Sequence, residues 1–200
     1  MPSTWKRLIL ESEYTKKCHT KVVNMLKAAG LKNGPFFMQG FYDEGEFRFF
    51  DPGLRFSGVD YEMVMKEATG CDLVKAMIDI ALTGKCDNLV IPDSAASLCG
   101  KRAALIFPAV KAGKIAKVCG EDEIRRDPRV ISYQPRHFEN EEIEWNYTVY
   151  QRFNEMDLLG DDAEDLIDVC SKIKKLLKVS DDAGEDMLYE WPDYEHILRY

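Results

Sequence analysis

Gln39, Asp51 and Arg55 stand within a phenylalanine-rich run, Gly34-Pro35-Phe36-Phe37-Met38-Gln39-Gly40 followed by Phe47-Arg48-Phe49-Phe50-Asp51-Pro52-Gly53-Leu54-Arg55-Phe56. A Gln and an Asp buried among aromatic rings need partners, because unpaired polar groups in a core are costly. Two oxygen donors of this kind suit magnesium, which takes one or two carboxylates and completes its shell with substrate phosphates and water. An arginine just beyond a metal-bearing strand can steady a phosphoryl group with its planar fork. The same residues also suit a plain hairpin with a surface arginine and a Gln bonded to backbone.

The elements that must position these groups are two apolar strands and a tight turn. Asp43-Glu44-Gly45 fits a three-residue loop in which Gly45 supplies the left-handed conformation. Tyr42 then pairs with Glu46, Gln39 lies opposite Phe49, and Phe37 opposite Asp51. Alternation along the strands would place Gln39 and Asp51 on one face as diagonal neighbours. A shift of one residue would separate them.

Around the hairpin the texture alternates. Leu8-Ile9-Leu10 reads as a short strand, and Tyr14 to Ala29 as a helix with Cys18, Val22, Met25, Leu26 and Ala29 on one stripe. Gly30 is its expected C-cap. Helices follow near Tyr61–Ala68 and Asp72–Thr83, and the polar stretch from Cys86 to Leu98 reads as a lobe boundary. Strands are expected at Ala103–Val110, Ile115–Cys119, Val130–Gln134 and roughly Tyr147–Leu158. Ala163, Leu166, Ile167, Cys170, Ile173 and Leu177 then mark an amphipathic helix whose apolar face is a core seam. Asp161, Asp162, Glu164 and Asp165 at its start suit the positive helix end better than a calcium site. The aromatic tail Trp191 to Tyr200 is expected to dock, either on the body or on another domain.

The chain has 200 residues, 46% hydrophobic and 31% charged, which suits one domain or two small lobes with an ordinary core. A net charge of -8 argues against a nucleic-acid surface. No apolar run approaches a membrane span, and Met1-Pro2-Ser3-Thr4-Trp5-Lys6 lacks a signal-peptide core. Cys18, Cys71, Cys86, Cys99, Cys119 and Cys170 show no CxxC spacing and read as reduced thiols of a cytoplasmic protein. His19, His137 and His196 are dispersed, and a structural or solvent role suits each better than a ligand role.

The hairpin resembles the magnesium-binding hairpin of the ATP-grasp ligases, such as the carbamoyl phosphate synthase large chain. The family's Gln or Glu falls on Gln39, its strand acid on Asp51 and its arginine on Arg55. Its second-strand Asn falls on Gly53, which cannot ligate a metal, and Asp51 is one methylene shorter than the usual Glu. Glu62 to Leu73 is similar to the family's helix, Thr-Gly turn and next helix, which Ala81-Leu82-Thr83-Gly84 closes. Ala112 to Gly120 resembles the opening hairpin of the small lobe that follows biotin-carboxylase-like domains, and Val179 to Leu188 resembles its closing strand.

The resemblance implies an α+β fold: the C-terminal half of an ATP-grasp domain over residues 1–90, an antiparallel sheet with flanking helices, then a small α+β lobe over 91–200. It implies ATP and magnesium as cofactors, with Gln39 and Asp51 on the metal and Arg55 on the phosphoryl group. The partners would be a small carboxylate and a preceding ATP-grasp subdomain, since no glycine-rich phosphate loop occurs before residue 34. ATP would phosphorylate the carboxylate to an acyl phosphate for attack by an amine or other nucleophile. The alternative is a non-catalytic binding or assembly module that keeps the fold.

Overall fold

The computed structural model describes residues 13–57, 61–145 and 151–194. The chain divides into two compact units, one drawn from Met1–Glu62 and Cys71–Ile91, the other from Met63–Gly70 and Pro92–Arg199. The expected strand at Leu8-Ile9-Leu10 lies outside the described residues.

In the first unit a π-helical turn, Thr15–His19, leads into helix α1, Thr20–Ala28. The helix ends as its glycine requires. Gly30 takes φ +84°, its N–H donates to the Lys27 carbonyl at 3.0 Å, and the Leu31 N–H donates to the Leu26 carbonyl at 3.1 Å. This is a Schellman closure, which needs a left-handed residue. Of the expected apolar stripe Val22 is buried, whereas Met25 is half exposed.

Strands β1 (Phe37–Asp43) and β2 (Glu46–Gly53) form an antiparallel hairpin. Its register differs from the sequence expectation. Asp43 pairs with Glu46 and Tyr42 with Phe47, so Glu44 and Gly45 alone make the turn, at φ +48° and +82°. Two successive left-handed residues match the twist of the flanking strands, which a three-residue loop does not need to do. Gln39 therefore pairs with Phe50 and not Phe49. The irregularity expected at the turn falls further along, where Asp51 and Pro52 together oppose Met38 before Phe37 pairs with Gly53.

Helix α2 is Tyr61–Thr69 and helix α3 is Leu73–Thr83, each close to its expected span. The Asp72 carboxylate caps α3 by accepting from the Lys75 N–H at 2.8 Å, and Gly84 closes it at φ +73°.

The second unit is built on a three-stranded antiparallel sheet in the order β3 (Arg102–Ile106), β8 (Asn154–Gly160), β6 (Val130–Pro135). Helix α5, Ala163–Leu176, follows β8 and lies against it. The core gathers Ile106, Ile124, Phe153, Met156, Leu158, Leu166, Val169 and Ile173, with Trp191 and Tyr194 packed against it. The described part of the aromatic tail thus docks on the body.

Several expected elements change here. The strand beginning near Ala103 stops at Ile106, two residues before Pro108, which has no N–H to donate. Of the strand expected over Ile115–Cys119 only β5 (Lys117–Cys119) forms, paired with β9 (Lys178–Ser180), while a separate β4 (Gly113–Lys114) precedes it and pairs with β7 (Glu142–Ile143). The stretch Ala112 to Gly120 is therefore not a hairpin. Part of the strand expected over Tyr147–Leu158 lies outside the described residues, and of the rest only the residues from Asn154 onward belong to β8. Short helix α4, Glu121–Arg125, was not anticipated.

Candidate functional site

The hairpin presents two unlike faces. Tyr42, Phe47 and Phe49 occupy one, where Tyr14 meets Phe47 and Phe49 edge-on at ring separations of 6.0 and 6.2 Å. Gly40 belongs to this face because a Cβ there would stand 2.8 Å from the Phe49 ring. The other face carries Phe37, Gln39, Phe41 and Phe50, with Phe41 and Phe50 stacked at 4.9 Å.

Gln39 and Asp51 are exposed, contrary to the burial that their phenylalanine neighbours suggest. Phe41, on the face of Gln39, is 67% exposed, so a phenylalanine-rich strand here is not a core strand. Bulge residue Asp51 sits at φ +48°, and strict alternation no longer assigns its side chain to a face.

Arg55 is the centre of the arrangement. Its guanidinium lies over the Phe37 ring at 4.7 Å, donates to the Phe56 carbonyl at 3.0 Å and meets the Asp51 carboxylate at 3.4 Å. Its stem fills the space beside Gly53, where a Cβ would stand 3.3 Å from Arg55 Cγ and Nε. A side chain at 53 would press on Arg55, which would have to shift by a few tenths of an ångström to admit it. Both partners of the Arg55–Asp51 pair are at least half exposed, so it contributes at most about 1 kcal/mol.

Arg55 and Phe37 also line a cavity of about 630 Å³ within the first unit. Its walls come from Pro35, from Ala76 and Ile80 on one stripe of α3, and from Leu89. Gln39 and Asp51 are not among the lining residues. The structure therefore joins Arg55 to Asp51 on one side and, on the other, to a cavity lined by apolar side chains together with Lys32, Asn33 and Glu62. Sequence reading missed this wall, although Leu73, Ala76, Met77 and Ile80 carry its helical spacing.

The titratable groups of the second unit are occupied structurally. Asp127, Asp165 and Asp168 converge on Arg129 at 2.8–2.9 Å, and Lys172 reaches Asp127 at 2.8 Å. Hydrogen bonds from Arg129, against the opposing effect of burial, hold the Asp127 carboxyl well below the usual range. Asp162 caps α5 by accepting from the Asp165 N–H, and Asp165 accepts from the Asp161 N–H. His137 is buried against Glu141 at 2.8 Å. Burial pushes the Cys170 thiol up to about 12, as befits a core thiol. Among the described residues no group of three or more His, Cys, Asp or Glu could hold a metal.

The fold can be set beside solved structures. It matches the L-amino acid ligase from Bacillus licheniformis with a TM-score of 0.63 and 16% identity, over 90% of this chain and 42% of that one. It matches the phosphoribosylglycinamide synthetase from Anaerococcus prevotii with a TM-score of 0.65 and 12% identity, over 84% of this chain and 42% of that one. The fold matches the C-terminal half of the ATP-grasp fold. No protein-family model matches the sequence, and no curated protein does. The matched part of the chain covers only 42% of the length of either neighbour. At such identities the likeness concerns backbone architecture alone, and the chemistry must be argued from the side chains.

Proposed function

We propose that this chain is part of an ATP- and magnesium-dependent ligase that activates a carboxylate as an acyl phosphate. The observation that carries the reading is Arg55. On a hairpin of ATP-grasp fold, one guanidinium is braced by an aromatic ring, touches an exposed carboxylate and lines a cavity. Gln39 and Asp51 are both exposed oxygen donors of the hairpin, of the type magnesium takes and too few to complete a shell without phosphates. When bound, the ion would neutralise charge developing on phosphate oxygens.

The chain's own residues do the positioning. Asp51, projected by the bulge, and Gln39 would hold the metal. Asp51 would exchange its contact with Arg55 for that role, leaving the arginine fork to turn toward the transferred phosphoryl group and the acyl phosphate. Phe37 fixes the plane of the fork. Positioning and electrostatics carry phosphoryl transfer, so no side-chain nucleophile is required. The carboxylate substrate, the acceptor and a preceding nucleotide-binding subdomain are parts of the same proposal. Six free thiols suit a cytoplasmic setting, and no helix among the described residues is long and apolar enough to cross a membrane.

A second reading, a non-catalytic module, is favoured by Gly53, which removes a ligand that the resemblance expects. Hydroxylamine trapping separates the two. In the protein that carries this chain, ATP and a substrate acid should yield hydroxamate, and Asp51→Asn should lower its formation by about 100-fold or more. Equal yields from both proteins would remove Asp51 from the chemistry and leave the binding module.

A further inference from the structure

Helix α3 keeps an apolar face turned to solvent. Val74, Ile78, Ala81 and Leu82 recur at the i, i+4, i+7, i+8 spacing of one stripe, and all four are exposed. Val74 is 49%, Ile78 54% and Leu82 79% exposed, whereas Ala76, on another side of the helix, is buried. A further apolar residue stands at the N-terminal end of the helix. There the Cys71 thiol donates to the Val90 carbonyl at 3.1 Å, and Val90 is 81% exposed. Single exposed apolar residues are ordinary, but a continuous row of them along one helix marks a surface that meets another.

This face complements itself in one direction. Val74 and Leu82 lie four residues to either side of Ile78, so a two-fold axis at Ile78 sets Val74 of each copy against Leu82 of the other. The same axis brings Leu82 to the helix end where Val90 of the second copy stands. Lys75 and Asp79 border the stripe along one flank and pair within the helix at 2.6 Å. Antiparallel helices set like flanks together, running opposite ways, so Lys75 faces Asp79 of the second copy and Asp79 faces its Lys75. A parallel pair would set that flank against the uncharged side that carries Met77.

We propose that this chain forms a two-fold dimer through antiparallel pairing of α3. The pairing does not depend on the ligase reading. A helix of 11 residues is about 17 Å long and offers less than the roughly 800 Å² per partner of a tight complex, so the affinity is micromolar.

Sedimentation equilibrium of the full 200-residue chain tests the pairing. The mean mass should climb from one copy to two between about 1 and 200 µM. Ile78→Glu sets two carboxylates together at the axis and should weaken association about 100-fold or more, while dilute wild type and variant unfold at one temperature. Lys75→Glu should weaken association about tenfold, and adding Asp79→Lys should restore it, because the reversed pairs are again opposite in sign. The Lys75 side chain is 64% exposed, so these variants report on the pairing even where Ile78→Glu fails to fold. A chain that stays monomeric throughout would overturn the dimer and leave the face to a segment of a longer protein. Dimers indifferent to Ile78→Glu would overturn it by placing the contact elsewhere. Dimers that Ile78→Glu disrupts and Lys75→Glu does not would overturn the antiparallel arrangement.

Discussion

Asp51 has a duty of backbone and, in the proposed function, a separable one of charge. Its φ of +48° is a conformation that Asp and Asn tolerate and branched side chains do not. Asp51→Asn should therefore keep urea stability within about 0.5 kcal/mol of the parent while losing the hydroxamate formation that the proposed function expects. Asp51→Val should lose that formation and also about 1–2 kcal/mol of stability. Unaltered stability in the valine variant would show that the bulge is not seated at this residue. The same duality explains why the site was only half legible in sequence. The residue types were visible, because Gln, Asp and Arg in an apolar hairpin stand out. The register was not, because two-residue and three-residue turns share the same Glu-Gly sequence, and one position decides which face each side chain meets. Burial was misjudged because phenylalanine content reports neither what covers a strand nor what leaves it open.

At the scale of elements, the helices were legible where caps and periodicity agreed. Asp72 and Gly84 bound α3, and Asp162 opens α5, each in the role its residue type suggests. Strands β4 and β7 escaped notice because they are two residues long, too brief for alternation to register, and β5 was expected two residues too long. Their placement depends on one glycine. Gly120 joins β5 to α4 at φ +90°, and a Cβ there would stand 2.2 Å from the carbonyl oxygen of Leu176 at the end of α5. Gly120→Ala should cost about 3 kcal/mol or more, combining left-handed strain with a backbone clash that no side-chain movement relieves. Gly184→Ala is the control, since φ is +84° there but nothing lies within 4 Å. It should cost about 1 kcal/mol, and a urea series that ranks the two equally would contradict the close approach at Leu176.

Across the whole molecule, the strongest pH dependence should come from the second unit. Arg129 hydrogen bonds hold Asp127 below its ordinary 3.8, with Lys172 adding to them and burial opposing. A depressed carboxyl binds its proton more readily in the unfolded chain. Its contribution is therefore complete above about pH 4 and is lost as pH falls toward the folded value. Glu155, where burial is outweighed by hydrogen bonds from Arg136 and Arg152, is shifted the same way and should steepen the same acid limb. Asp127→Asn should cost about 3 kcal/mol at neutral pH, because it leaves Arg129 and Lys172 short of a buried partner. It should also flatten the stability curve between pH 4 and 2. Urea midpoints measured across that range would contradict the network if wild type and variant kept parallel slopes.

The spacing of partners in the three-stranded sheet also has a consequence during synthesis. Strand β3 carries Ala103, Ala104, Leu105 and Ile106 toward β8, yet Ile106 meets Met156 only 50 residues later. At ribosomal speeds of about 5–20 residues per second, that delay lasts about 3–10 s. Through it the nascent chain displays an apolar strand with open hydrogen-bonding edges, flanked on one side by Lys101 and Arg102 as charged gatekeepers. Chains arrested near residue 150 should therefore be cut by trypsin at those two residues, and chains released at full length should resist. The hairpin, whose nearest pair is Asp43 with Glu46, has no such interval to survive.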